Sequence, residues 1–554
     1  MKRRDFLTKT TLAAAGATTL LTAACNTNVS SEKKEEKTGG SFKDDFELNE
    51  ITVVALQEKM KTGAYTSEKI IQLYLDRINK IDKAGPAINS VIELNPDALT
   101  IAKQMDAERK SGKVRSPIHG IPVLIKDNID TADKMKTSAG SLALANSIAL
   151  KDSFVAQKLR EAGAIILGKT NLSEWANIRS SHSTSGWSGR GGLTKSPYAL
   201  DRNACGSSSG TGAAIAANLA TIGIGTETDG SVVCPSSHNS LVGIKPTLGL
   251  ISRSGIIPIA HSQDTAGPMC RCVADAAALL TVLLGIDPAD KATMSVIDVI
   301  PPGKNDTTLG EDYTKYLDPN GLKGMRIGVA RKFFGFNDKV DKLMNDAIET
   351  MKQQGAIIID PADIPHTGEY DNTELDVLLY ELKADLNAYL AGLGPNAPVK
   401  TLKDIIDFNE KNKDKELKYF GQDLFIKAEA KGPLTTKEYL DALEKNHRLS
   451  QAEGIDAIMN KEKLDAMIAP TGGPAWPTDL INGDHFTGGY STPSAVAGYP
   501  HITVPAGNVY GLPVGISIFG RAWSEGTLIK IAYAYEQVTK HRKSPQFLAT
   551  ANVM

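Results

Sequence analysis

The sequence has no excess of charge of one sign and few aromatic residues. Its 62 basic and 64 acidic side chains are well mixed, aromatic residues make up 6% of the chain, and no basic stripe with interleaved aromatics occurs. These features argue against a nucleic acid partner. Beyond the N-terminal segment, no stretch is apolar for long enough to span a bilayer. A hydrophobic fraction of 41% and a charged fraction of 23% are typical of an ordinary globular protein.

Cysteine is also scarce, with five residues in the whole chain. One of them, Cys25, belongs to the N-terminal segment, and the other four are Cys205, Cys234, Cys270 and Cys272. The C-x-C pair at the end of this series is too closely spaced and too isolated for a zinc site, and no metal is expected. We interpret these four as small buried hydrophobic side chains, and we leave a disulfide open for a chain outside the cytoplasm.

The first 25 residues, "MKRRDFLTKTTLAAAGATTLLTAAC", have a basic start, an apolar stretch and small residues before Cys25. This pattern predicts a secretory signal. The "RRDFL" motif resembles the twin-arginine export signal, and "AAC" resembles a lipoprotein cleavage site that would leave Cys25 lipidated. A plain signal peptide cut nearby is the alternative. Residues 26–48 are expected to form a disordered tether, and residues 49–545 the folded body. The sequence therefore predicts an exported bacterial envelope protein, held at the membrane only by a lipid anchor.

Helix-like and strand-like segments alternate along the body. The run "GIPVLIKDNID" predicts a strand that stops at Lys126. Residues 153–170 read as a helix, a turn and a buried strand, and residues 213–231 repeat this order before a polar glycine turn. Such alternation predicts an α/β fold. The charged, helix-rich region of about 303–462 is expected to be a helical insertion or cap.

Two motifs fit well-known formulas without fitting their chemistry. Residues 163–170 match the P-loop formula, but the intervening Ala-Ile-Ile-Leu favours burial as a strand, so we reject a nucleotide site. Residues 206–210 match G-x-S-x-G, which would make Ser208 the nucleophile of an α/β-hydrolase. That elbow must follow a buried strand, whereas the preceding segment is polar and broken by glycine and proline. An esterase that uses Ser208 and a histidine remains a less favoured alternative.

A third combination explains more of the sequence. A second serine in a glycine turn, Ser231, follows a predicted strand, and Lys126 lies at the end of another. Backbone N–H groups of the "TDGS" turn, residues 228–231, can converge on one point, as an oxyanion hole requires. Lysine can then act where histidine usually does, as in serine–lysine hydrolases.

Five segments, in this order, resemble the amidase signature family: "GIPVLIKDNID", "GSSSGTGAAIAANLATIGIGTETDGSVVCPSS", "LVGIKPTLGLISRSGIIP", "SQDTAGPM" and "PAGNVYGLPVGISIFG". The resemblance covers about residues 66–540 and is weakest in the insertion. The "GTETDGS" turn with "SQDTAGPM" downstream looks most like the bacterial peptide amidases of that family. The resemblance implies a central mixed β-sheet covered by helices on both faces.

The resemblance also implies a Ser–cis-Ser–Lys triad, with Ser231 as nucleophile, Ser207 as bridging serine and Lys126 as base. It implies that a cis peptide bond joins Gly206 to Ser207. No metal or organic cofactor is needed. The backbone N–H groups implied for the oxyanion hole are those of Thr228, Asp229, Gly230 and Ser231.

Lys126 must be neutral to act as a base. The reference pKa of a lysine is about 10.4, so action near pH 7.5 requires a fall of roughly three units. Burial can produce such a fall, and the apolar run 123–125 before Lys126 suits it.

The turn departs from the family pattern at Asp229, where a glycine is common, and at Val233, which replaces a usual arginine. Asp229 is expected either to orient the leaving carboxamide or only to stabilise the turn. Ser208 and Ser209 are interpreted as helix-cap and turn residues.

The predicted reaction converts a carboxamide to a carboxylate and ammonia, with C-terminal peptide amides as candidate substrates. Small amides and aryl amides or esters are the alternatives. The glutamine amidotransferase subunit that acts on charged tRNA has similar motifs, but an export signal argues against it. A non-catalytic binding lipoprotein would not need Lys126, Ser207 and Ser231 together.

Overall fold

The computed structural model describes residues 44–294 and 311–553. The predicted signal segment, the lipidation site Cys25 and the tether up to residue 43 lie outside these ranges. Within them, no helix combines the length and apolar character that crossing a bilayer would require.

Thirteen strands occur in the described ranges, and eleven of them form one sheet. The strands are β1 Val91–Leu94, β2 Pro122–Lys126, β3 Ile165–Thr170, β4 Trp187–Ser188, β5 Gly192–Leu193, β6 Ile222–Glu227, β7 Val242–Lys245, β8 Thr265–Cys270, β9 Arg326–Val329, β10 Ile357–Ile359, β11 Ala466–Pro470, β12 His501–Val509 and β13 Leu512–Phe519.

The order of strands across the large sheet is β1-β3-β2-β6-β8-β7-β12-β13-β11-β9-β10. Strand β2 pairs in parallel with both β3 and β6, and β9 pairs in parallel with both β10 and β11. The other neighbours in the sheet pair antiparallel. The sheet is therefore mixed, as the sequence predicts, and its parallel units lie towards its two ends.

Helices pack around this sheet. They are α1 Val53–Lys61, α2 Ser67–Arg77, α3 Ala98–Lys110, α4 Phe154–Glu161, α5 Ser209–Ala216, α6 Val233–His238, α7 Val273–Leu283, α8 Asp338–Gln353, α9 Asp371–Gly392, α10 Leu402–Lys411, α11 Lys413–Glu416, α12 Asp423–Glu429, α13 Lys437–Ser450, α14 Asp456–Lys461, α15 Thr492–Ala497 and α16 Glu525–Thr539.

The local structure agrees with the alternation of helix and strand signals. The first predicted strand ends at Lys126, and β3 is buried along its whole length inside the rejected P-loop match. A buried strand cannot present its N–H groups to phosphates, because the neighbouring strands use them. Helix α5 and β6 likewise form the predicted helix–strand unit before the glycine turn.

The region 303–462, expected to be helical, also contributes strands. Strands β9 and β10 extend the sheet at one end, where β9 pairs with β11 and β10 pairs with β9. They are only four and three residues long. Strands this short carry too few residues for an alternating pattern, and distant partners stabilise them. The region is thus part of the sheet as well as a group of helices.

The ordered body also begins before residue 49. Asp44, placed in the tether by the sequence analysis, forms an ion pair of 2.7 Å with Arg77. Phe46 packs edge-on against Tyr74, and Leu48 is fully buried. This charged and polar stretch therefore holds anchors for α2 that its composition does not reveal.

Candidate active site

Two neighbouring parallel strands bring the candidate residues together. Strand β2 ends at Lys126, and β6 ends at Glu227, directly before the turn 228–231. Because the carboxyl ends of adjacent parallel strands meet at one edge of a sheet, the lysine lies beside this turn. Helix α5 begins at Ser209, directly after the other candidate serines.

Lys126 is fully buried, and its Nζ makes three contacts. It donates to Ser207 Oγ at 2.7 Å, to Thr226 Oγ1 at 2.8 Å and to the Thr226 carbonyl at 3.2 Å. Asn128 Nδ2 also donates to Thr226 Oγ1, at 3.0 Å. Thr226, to which no sequence pattern assigned a role, therefore holds the lysine against Ser207.

Burial lowers the pKa of Lys126 from 10.5 to about 7, although the negative charges of Asp264 and Glu227 oppose the fall. Burial also raises the pKa of Asp264, to about 6. An amine with a pKa of about 7 is roughly half neutral at neutral pH. This is the condition for a general base that the sequence analysis required.

Ser207 is buried, and the peptide bond between Gly206 and Ser207 is cis. The Ser207 carbonyl accepts the N–H of Ser173 at 3.0 Å. A Cβ at position 206 would lie 2.2 Å from Ser173 Oγ and 3.1 Å from Ser185 Oγ. Glycine is therefore needed here, because the backbone passes too close to these serines for any side chain.

Ser231 is 9% exposed in the turn that follows β6. Gly230 before it has φ +77°, a left-handed conformation that favours glycine. The N–H of Ser208 donates to the Ser231 carbonyl at 3.2 Å. Within the described ranges, the Ser231 hydroxyl forms no hydrogen bond, with Ser207 or any other group. The structure thus joins Ser207 directly to Lys126, whereas Ser231 is joined to the serine segment through its backbone.

The same turn offers a row of free donors. Glu227 Oε2 accepts the N–H groups of Val232 and Val233 at 2.8 and 3.0 Å, which closes the turn after Ser231. The N–H groups of residues 228–231 donate to no acceptor in the described part of the chain. Several free N–H groups in one tight turn are what a developing oxyanion needs.

Asp264 connects this turn to a second loop. Thr228 Oγ1 donates to Asp264 Oδ1 at 2.6 Å, and the N–H groups of Ile259 and Ala260 donate to Oδ2 at 2.8 and 2.9 Å. No pattern in the sequence assigns Asp264 a role, although it lies within the "SQDTAGPM" segment. Its contacts fix the position of Thr228 and place a carboxylate near the lysine.

The Asp229 carboxylate forms its hydrogen bond with a residue outside the 228–231 turn. Thr492 Oγ1 donates to Asp229 Oδ2 at 2.6 Å. Burial raises the pKa of Asp229, and burial together with the charge of Asp229 raises the pKa of Glu374 well above its usual value. Gln263 Nε2 donates to Glu374 Oε1 at 3.0 Å. Of the two roles expected for Asp229, these contacts favour the structural one, because they connect the 228–231 turn to the start of α15.

Ser208 is fully buried and bound from both directions by one residue of β6. Its Oγ donates to the Thr226 carbonyl at 3.1 Å and accepts the Thr226 N–H at 3.2 Å. It also precedes α5 as the N-cap residue, although its side chain makes no cap hydrogen bond. A hydroxyl that is tied into a sheet in this way is poorly placed to attack a substrate, which argues against the esterase alternative.

Two of the four cysteines of the body form a disulfide, which the sequence left open. Cys205 and Cys234 form a disulfide, with Cα atoms 6.0 Å apart. Cys270 and Cys272 are free, the first buried and the second partly buried. The disulfide joins positions 29 residues apart in the sequence, so local pattern gives no sign of it.

A cavity of about 190 Å³ lies beside the lysine and its partner. Asn128, Thr226 and Thr228 form part of its wall, and the apolar residues 256–259 form another part. Asp385 of α9 also lines it, so the region 303–462 reaches this cavity. The cavity is large enough for an amino acid side chain, and Thr228 is the residue of the 228–231 turn that lines it.

Comparison with known proteins shows the family of this chain. The family model described as Amidase matches residues 69–529. The crystal structure of native peptide amidase from Stenotrophomonas maltophilia superposes with a TM-score of 0.85 at 48% sequence identity, covering 91% of this chain and 99% of that one.

Curated relatives give the same assignment. A probable amidase of Arabidopsis thaliana is 42% identical over 512 residues, 91% of this chain and 93% of the relative. A putative amidase of Arthroderma benhamiae is 38% identical over 514 residues, 88% of this chain and 82% of the relative. The chain therefore belongs to the amidase signature family, and it is an enzyme that hydrolyses amide carbon–nitrogen bonds.

Proposed function

We propose that this amidase releases ammonia from C-terminal peptide amides, with Ser231 as nucleophile, Ser207 as proton bridge and Lys126 as base. One observation carries the proposal: Lys126 Nζ lies 2.7 Å from Ser207 Oγ in a site where burial brings the lysine pKa to about 7. Burial also lowers the pKa of Lys169 and of Lys245, so the hydrogen bond to Ser207 is what distinguishes Lys126 from these two buried lysines.

The reaction follows from these contacts. Ser231 Oγ attacks the amide carbon, and its proton passes through Ser207 to Lys126. The N–H groups of residues 228–231 stabilise the oxyanion. When the C–N bond breaks, the same proton returns through Ser207 to the leaving nitrogen, and ammonia departs. Water then attacks the acyl ester by the same proton path, which gives the carboxylate and restores Ser231.

Two observations support a peptide amide as the substrate. The relative from S. maltophilia is a peptide amidase, and it shares 48% of its residues with this chain. The cavity beside Thr228 has an apolar wall at 256–259 that suits the side chain of the residue carrying the amide. A peptide amide is uncharged at its C-terminus, so the substrate brings no carboxylate that the site would have to neutralise.

The test compares a peptide amide with the matching free acid and measures ammonia, using the full chain and its Ser231→Ala and Ser208→Ala variants. We expect ammonia from the amide only, loss of activity in Ser231→Ala and retained activity in Ser208→Ala. Turnover of small amides alone would disprove the peptide substrate and keep the mechanism. Unchanged activity in Ser231→Ala would disprove the triad.

We also propose that the enzyme is exported and anchored through a lipid on Cys25. Apart from the N-terminal sequence, the Cys205–Cys234 disulfide supports export, because such bonds persist in oxidising compartments. Expression with a radiolabelled fatty acid should label the wild type and not Cys25→Ser. Equal labelling, or none in either, would contradict the anchor.

A further inference from the structure

We propose that the Cys205–Cys234 disulfide is a positioning element of the active site, which sets the spacing between the bridging serine and the nucleophile. The inference rests on the proposed triad and assigns to it two residues that no motif indicates. Cys205 directly precedes the Gly206–Ser207 pair. Cys234 lies three residues after Ser231, at the start of α6.

Each cysteine lies two or three residues from one of the two serines. Cys205 N–H donates to Asn203 Oδ1 at 2.8 Å, and the next residue but one is Ser207. Cys234 N–H donates to the Gly230 carbonyl at 2.8 Å, so this cysteine closes the first helical turn after the nucleophile. A covalent bond between the two cysteines therefore fixes the distance between the two catalytic segments.

The other links between the two regions are hydrogen bonds. Asn239 Nδ2 donates to the Ala204 carbonyl at 3.0 Å and to the Pro235 carbonyl at 2.7 Å, and Ser208 Oγ is bound to Thr226 of β6. Between segments 205–209 and 230–234, the described residues form one direct hydrogen bond, from Ser208 N–H to the Ser231 carbonyl at 3.2 Å. The Ser207 side chain is held by the lysine, whereas the Ser231 hydroxyl has no partner among the described residues to hold it in place. The position of the nucleophile relative to Ser207 thus depends on the backbone, and the disulfide is its covalent restraint.

The bridge lies in an apolar cover that keeps it rigid. Cys205 and Cys234 are 5% and 9% exposed and cluster with Trp476. The His238 ring packs edge-on against Trp476 at 4.9 Å, and burial lowers the pKa of His238 to about 4, so this ring is neutral.

This position predicts which kinetic quantities change when the bond is absent. The Lys126–Ser207 contact rests on Thr226 of β6, and the cavity wall rests on residues 256–259, neither of which touches the bridge. Loss of the disulfide should therefore lower kcat and leave KM and the lysine-controlled pKa of the rate profile unchanged. General loosening of the fold would change all three.

The decisive experiment measures the reactivity of Ser231 independently of amide turnover. An alkyl fluorophosphonate reacts with an aligned serine: a P–O bond forms, the P–F bond breaks, fluoride leaves, and the serine proton passes through Ser207 to Lys126. Intact mass gives the rate, and peptide mapping gives the site. We expect the Cys205→Ala/Cys234→Ala variant to react about 10- to 100-fold more slowly, as expected for misplacement of a reacting atom by up to about 1 Å. Cys272→Ala, a free cysteine at the start of α7, is the matched control and should react at the wild-type rate.

Reduction of the wild type provides a second route that needs no substitution. A trialkylphosphine converts the disulfide to two thiols and becomes the phosphine oxide, with water supplying the oxygen and the two protons. The slow rate should appear on reduction and reverse on reoxidation. The reduction experiment tests the proposal on its own if the double variant fails to fold.

Rates within twofold of the wild type in the folded double variant or in the reduced protein would overturn the proposal. If the fluorophosphonate labels Ser231 of the wild type but the enzyme releases no ammonia from any amide, the proposed function fails. The labelling rates of the variants still test the role of the disulfide in that case. Labelling of the wild type at another serine overturns both.

Discussion

Replacing Asp264 by asparagine removes the charge that most strongly opposes the fall in the pKa of Lys126. The asparagine can keep the contacts of the carboxylate, since its oxygen accepts the N–H groups of Ile259 and Ala260 while its amide donates to Thr228 Oγ1. The substitution therefore changes the charge near the base with little change in shape. Asp264 has a pKa of about 6 and is ionised over most of the range in which the lysine titrates.

The magnitude follows from the pKa of Lys126. A fall from 10.5 to about 7 corresponds to about 5 kcal/mol and raises the neutral fraction at pH 7 from about one part in 3,000 to about one half. Only the neutral amine accepts a proton, so kcat/KM should rise with pH, tenfold per unit at low pH, and level off above about pH 7. Removing an attractive charge lowers a lysine pKa further, here by on the order of one unit.

The assay is the pH dependence of kcat/KM for ammonia release. We expect a wild-type midpoint near pH 7 and an Asp264→Asn midpoint at lower pH, whatever happens to the plateau. Asp385→Asn is the matched control, because Asp385 lines the same cavity but contributes nothing to the pKa of the lysine. A midpoint that stays in place or moves upward in Asp264→Asn would refute the electrostatic reasoning. A wild-type midpoint near 10 would refute the role of burial.

Two further predictions concern packing. Gly206→Ala should lower kcat by at least about 100-fold, because its Cβ would lie 2.2 Å from Ser173 Oγ and displace Ser207. The control is Gly392→Ala, whose Cβ meets nothing within 4 Å and which should be fully active in the same ammonia assay. Arg179→Met should cost about 3–5 kcal/mol of unfolding free energy in urea denaturation, because Arg179 is buried between Glu174, at 2.8 Å, and Glu416. The control Arg331→Met breaks a partly exposed ion pair with Asp360 and should cost less than about 1 kcal/mol of unfolding free energy. Equal losses of unfolding free energy in the two variants would contradict the importance of burial.

The sequence predicts the site better than it predicts what supports the site. Lys126 ends a strand, and Ser231 follows one, and both facts are visible because buried parallel strands are continuous apolar runs that stop abruptly. The family resemblance supplies Ser207 and its glycine. Thr226 could not be assigned in the same way, because its role depends on which strand pairs with β2.

The remaining differences have the same origin. Asp264 reaches Thr228 across the pairing of β6 with β8, and the partner of Cys205 is another cysteine that only the fold brings near. Strands β9 and β10 are too short to show an alternating pattern, and they are stabilised by pairing, β9 with β11 and β10 with β9. Leu48 is buried although its neighbours Glu47 and Asn49 are polar. In each case a contact with a residue distant in sequence determines the structure, and a local sequence pattern does not show that contact.

The acidic residues of α9 and α11 limit how this enzyme can be redesigned. Glu381 accepts the N–H of Ser262 at 2.9 Å, Glu374 accepts a hydrogen bond from Gln263, and Glu416 accepts the N–H of Leu142 at 2.6 Å. Exchanging the region 303–462 with that of a relative, to graft a new substrate preference, would remove all three acceptors at once. A working chimera must therefore transplant the loops around residues 142 and 262 together with the helices, because these hydrogen bonds join the loops to the helices.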